Sequence, residues 1–100
     1  MFTVKRLPEF DLWFAGVRDR TTRIRLGVRL DKVQRGILGD VKPVGNSVFE
    51  MRESFGPGWR MYFVQHDVLL IVMLGGGHKS SQSSDIAAAK KLAAALVFKE

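Results

Sequence analysis

Val48-Phe49-Glu50-Met51-Arg52, Phe55-Gly56-Pro57-Gly58 and Trp59-Arg60-Met61-Tyr62-Phe63-Val64 form the stretch that decides the fold. On either side of the glycine–proline turn, apolar residues recur at every second position: Phe49 and Met51 before it, Trp59, Met61 and Phe63 after it. Successive side chains of a strand point to opposite faces, so a period of two predicts a β-hairpin. One face is apolar. The other carries Glu50, Arg52, Arg60 and Tyr62.

Downstream, Gln65-His66-Asp67 reads as a turn and the continuously apolar Val68 to Leu74 as a strand covered on both sides. Gly75-Gly76-Gly77 is expected to stop it. Ser83 or Ser84 can cap a last helix, with Asp85 at its positive end and an alanine-rich body from Ile86 to Phe98. Upstream, Phe2 to Lys5 reads as a short strand, and Pro8 and Glu9 open a helix. Phe10, Trp13, Phe14 and Val17 lie on one face of that helix and read as core. Asp19 or Thr21 can cap a second helix running to about Gly36, with Leu26, Leu30, Val33 and Ile37 on one face. The loop after it is punctuated by Gly36, Gly39, Pro43, Gly45 and Asn46. The predicted order is β-α-α-β-β-β-α. It describes an α+β fold: a small antiparallel sheet, an N-terminal helical hairpin and a C-terminal helix, with helices against one face.

A chain of 100 residues, 46% of them hydrophobic, suits one domain spanning 1–100. Its longest apolar runs reach seven residues, too few to cross a membrane. Lys5 and Arg6 are followed by no apolar leader core, so a cytoplasmic location is expected. The absence of cysteine excludes disulfides, a thiol nucleophile and a cysteine-based zinc site. No metal ligand cluster or cofactor motif is present: His66 and His78 are isolated, and Gly75 to Ser81 departs from a phosphate loop because His78 separates Gly77 from Lys79.

Charge is more informative. The chain carries a net +6, and the segment Arg18 to Arg35 alone holds seven basic and two acidic residues. Arg18, Arg25, Arg29 and Lys32 fall on a narrow arc of the second helix, apart from its apolar face. Such a field suits a polyanion, and it also suits a solvated helix face. On the hairpin, Arg60 stands beside Tyr62 and opposite a strand with Glu50 and Arg52, where an ion pair to Glu50 can form. Lys79 follows the apolar strand and can share a concave basic surface with Arg60. His78 has an imidazole suited to proton transfer near neutral pH.

Gly39-Asp40-Val41-Lys42-Pro43-Val44-Gly45, Val48-Phe49-Glu50-Met51-Arg52, Phe55-Gly56-Pro57-Gly58-Trp59-Arg60-Met61-Tyr62-Phe63, and Gly75-Gly76-Gly77-His78-Lys79-Ser80-Ser81-Gln82 with Asp85-Ile86 resemble the RelE/ParE toxin superfamily. The similarity is to its HigB-like, addiction module killer protein branch, over nearly the whole chain. The resemblance implies a RelE-like fold and the toxin of a type II toxin–antitoxin pair. It implies an endoribonuclease that cuts messenger RNA in the ribosome without a metal or cofactor. The implied partners are the ribosome, mRNA and a helix-turn-helix antitoxin that binds the toxin in a hetero-oligomer. No membrane is involved.

Carried over by position, Arg60 in Gly-Trp-Arg matches the arginine that contacts the scissile phosphate. Lys79 matches a second catalytic basic position, and Arg52 a basic residue closing the preceding strand. Val48 and Glu50 stand where RelE members have lysines, and Asp85 near their C-terminal tyrosine. His78, Lys42 and Tyr62 are the candidates to replace those groups, while Arg25, Arg29 and Lys32, together with Lys42 and Tyr62, are expected to contact RNA of the ribosome or message. The alternatives are a ParE-like inhibitor of DNA gyrase and a catalytically degenerate toxin that represses its own operon with the antitoxin.

Overall fold

The computed structural model describes residues 1–98. In chain order the elements are β1 (Thr3–Arg6), α1 (Pro8–Ala15), α2 (Arg20–Gln34), β2 (Val41–Gly45), β3 (Val48–Arg52), β4 (Trp59–His66), β5 (Leu70–His78), a single 3-10 turn (Lys79–Ser81) and α3 (Gln82–Ala95). The class is α+β. Five strands form one sheet in the order β1-β5-β4-β3-β2. The hairpin of β3 and β4 is present in the expected phase, Met51 opposite Met61 and Glu50 opposite Tyr62.

Three expectations are corrected. The segment read as a loop contains β2, an edge strand paired with β3. Pro43 hides it in the sequence, yet an edge strand tolerates a residue that cannot donate. A two-residue turn at Asn46 and Ser47, both at positive φ, joins β2 to β3. The sheet is mixed rather than antiparallel, because β1 runs parallel to β5. Helices also cover both faces instead of one. Phe10 of α1 and Leu26, Leu30 and Val33 of α2 pack with Met51, Met61, Phe63, Ile71 and Met73. On the other face, Ile86, Ala89 and Leu92 of α3 pack with Val48, Tyr62, Val64, Val72 and Leu74.

The glycine run is strand, not a stop. β5 continues through Gly75, Gly76 and Gly77 to His78. A Cβ at Gly76 would come within 2.5 Å of the Trp13 ring, and one at Gly77 would collide with the Asp85 carboxylate. Alternate faces of one strand therefore admit α1 on one side and α3 on the other. β5 starts later than its apolar run, at Leu70, because Asp67 at positive φ begins a turn that leaves Val68 and Leu69 exposed. Ile37 lies beyond α2 and is exposed rather than part of its core face. The start of α2 is as read: the Asp19 carboxylate accepts from the Thr22 amide at 2.9 Å and its hydroxyl at 2.7 Å. Those two bonds hold the Asp19 pKa below the usual carboxylate value.

Candidate functional site

At one end of the sheet the apolar cover from α3 gives way to polar residues. The register sets Lys42 beside Glu50, Glu50 beside Tyr62, and Arg52 beside Arg60. Directly opposed residues share a face, so these groups lie on the face that α3 covers, with Glu50 under Gln82 in its first turn.

Glu50 is the centre. Its side chain is only 1% exposed. Oε2 accepts the Tyr62 hydroxyl at 3.1 Å and the Gln82 side-chain amide at 2.8 Å. Oε1 lies 3.6 Å from Nε of Arg60, and neither of those two atoms has a hydrogen-bond partner. The Arg60 side chain is 13% exposed, and its Nη1 donates to the carbonyls of Trp59 at 3.1 Å and Glu53 at 3.4 Å. Burying a carboxylate costs several kcal/mol unless a cation and hydrogen bonds compensate. Arg60 supplies the cation, so the ion pair foreseen for Glu50 forms here with Arg60. Arg52 instead pairs with Asp40 at 3.0 Å.

Tyr62, expected on an exposed polar face, is buried. Burial foremost, and then the Glu50 charge, pushes its pKa well above that of an ordinary phenol. It is a neutral donor to Glu50 and presents no ring surface to RNA.

Lys79 is exposed, and its amide donates to the Gly58 carbonyl at 3.0 Å. A Cβ at Gly58 would lie 3.5 Å from both Arg60 Nη1 and Lys79 Cβ. Arg60 and Lys79 thus flank the same point of the β3–β4 turn. His78 is half-buried on the opposite face from Arg60; its Nδ1 lies 2.7 Å from Ser80 Oγ, and its ring meets Trp59 edge-on at 5.6 Å. Lys42 is exposed on the edge strand.

The basic helix divides. Arg18 precedes α2, so it does not belong to the helical arc. Arg25 and Lys32 are exposed and line a cleft with Ile24, Val28 and Ile37, and the Arg25 guanidinium lies 3.8 Å over the Phe55 ring. Arg29, expected among the exposed cations, is 8% exposed. Its five N–H donors go to the carbonyls of Leu38, Asp40 and Arg52 and to the Glu53 carboxylate. It ties α2 to the sheet and has no donor left for a phosphate. Gln82, Glu53 and Asp40 escaped the sequence reading because each acts across a long sequence separation. Among the described residues, no three histidine or acidic side chains gather as a metal-binding group, and no helix is long and apolar enough to cross a membrane.

Fold and site together define a small α+β protein whose sheet end holds cations around a buried carboxylate. The chain is 34% identical over 68 residues to an uncharacterized protein of Haemophilus influenzae, an alignment spanning 68% of this chain and 69% of that protein. It belongs to the family of that protein. No family model matches the chain, and no solved structure matches it.

Proposed function

We propose that this protein is a RelE-like toxin of the HigB-like branch, a ribosome-dependent endoribonuclease that an antitoxin restrains. The observation that carries this is the convergence of Arg60 and Lys79 on Gly58, with Arg52 on the same sheet end. In the proposed reaction the ribose 2′-oxygen forms a bond to the adjacent phosphorus and the bond to the 5′-oxygen breaks. A cyclic phosphate and a free 5′-hydroxyl result. The 2′-hydroxyl gives its proton to a base, and the leaving oxygen receives one from an acid. The Arg60 and Lys79 cations stabilise the charge that builds on the phosphorane. His78, next to Lys79 in the chain, is the candidate proton carrier.

A second reading has its own support. Tyr62 is buried and Arg60 is engaged by Glu50, which leaves few free acid–base groups and favours a protein that acts by binding, as a gyrase inhibitor or an operon co-repressor. Adding the protein to a translation reaction and to a gyrase supercoiling reaction separates the two. Cuts placed at codons of the translated message support the nuclease. Loss of supercoiling with intact message replaces it.

A further inference from the structure

We infer that the cleft between α1 and the end of the sheet, walled by Trp13, Trp59 and His78, holds one unstacked base of single-stranded RNA. This rests on the endoribonuclease reading and extends it to how the message is gripped. The cleft has a volume of about 560 Å³, and Leu12 and Arg18 stand at its mouth. The two indoles lie 6.3 Å apart at 60°, and the imidazole closes edge-on against Trp59. Leu12 is 76% exposed and leaves an apolar approach open. Every base has a π-face, so aromatic walls grip bases without demanding a sequence. Arg18 adds a positive charge to the lining beside Asp19, whose carboxylate is engaged by the Thr22 amide and hydroxyl.

Position links the cleft to the cations. Trp59 and His78 form the last cross-strand pair at this end of β4 and β5. Their chain neighbours are Arg60, which faces the opposite side, and Lys79, which caps the end. A nucleotide hooked over this end sets its base against Trp59 and its phosphate toward Arg60 and Lys79. Trp13 packs against the core as its place in the sequence predicts, and the part of it that stays accessible lines the cleft.

Tryptophan fluorescence tests this directly, because both tryptophans of the chain line the cleft. A single-stranded RNA hexamer is titrated against the full chain, beside the same hexamer made abasic. Quenching by the intact hexamer alone is expected. Trp59→Leu and the exposed-site variant Leu12→Asp are expected to weaken its binding about ten- to a hundredfold and to slow cleavage of ribosome-bound message, with the thermal midpoint of Leu12→Asp unchanged. Equal quenching by the abasic hexamer, or full cleavage by both variants, overturns the base cleft while leaving the nuclease intact. A parent protein that quenches with intact RNA but cuts no message overturns the nuclease while leaving the cleft. If neither quenching nor cutting occurs, both fall.

Discussion

Glu50 and Arg60 face each other diagonally across β3 and β4, with 3.6 Å between Oε1 and Nε and no hydrogen bond to either atom. Removing one partner strands the other charge in the interior, at about 3–5 kcal/mol. Arg60→Ala is therefore expected to lower the thermal midpoint sharply and, on the proposed function, to abolish toxicity. Adding Glu50→Gln to it should recover part of the stability and none of the toxicity. A double variant no more stable than Arg60→Ala shows that the two charges are not coupled.

Arg29→Ala should destabilise by about 3 kcal/mol or more, since it orphans the Leu38 and Arg52 carbonyls and a partly buried carboxylate. Lys32→Glu should leave stability nearly unchanged, and Arg25→Glu should cost about 0.5–1 kcal/mol through loss of its contact with the Phe55 ring. On the proposed function, these two reversals weaken ribosome binding most at low salt and flatten its salt dependence. Denaturant unfolding and binding at several salt concentrations check both statements. An Arg29→Ala chain of parental stability contradicts the structural role.

Much of this architecture can be seen in the sequence, and what cannot has definite causes. The period of two over Val48 to Val64 gives the central hairpin because both its strands keep one apolar face. Asp19 marks α2 because its carboxylate satisfies a local amide. β2 is hidden by Pro43, which only its place at the sheet edge excuses. The polar row of Glu50, Arg60 and Tyr62 looks solvated, yet these residues are buried, with Glu50 Oε2 bonded to Tyr62 and to Gln82, thirty-two positions away. The glycine run looks like a turn because what demands it, Trp13 and Asp85, lies in other elements.

That packing yields a graded prediction for β5. Gly76→Ala and Gly77→Ala should each cost about 1–3 kcal/mol by overpacking. Gly75→Ala, with nothing within 4 Å of its added carbon, should be near neutral. Trp13→Leu should relieve Gly76→Ala but not Gly77→Ala. Thermal unfolding of the series decides it, and equal costs at all three glycines contradict it.

Tyr62 provides a pH test, as the single tyrosine of the chain. Its folded pKa is raised, so the unfolded chain releases the phenolic proton first. The stability contributed by the neutral phenol is whole below pH about 10 and is lost as pH rises above it. Ultraviolet absorbance should show phenolate only as the fold is lost. Phenolate forming near pH 10 in a still-folded chain contradicts the buried placement.

The most direct measurement is the rate at which ribosome-bound message is cut by Lys79→Ala. Lys79 is exposed, so its truncation leaves the fold and the Glu50–Arg60 pair in place. Loss of one charge-stabilising group predicts a rate lower by about a hundredfold or more at an unchanged thermal midpoint. A parental rate from this variant contradicts the assignment of the Arg60 and Lys79 cations to a phosphodiester.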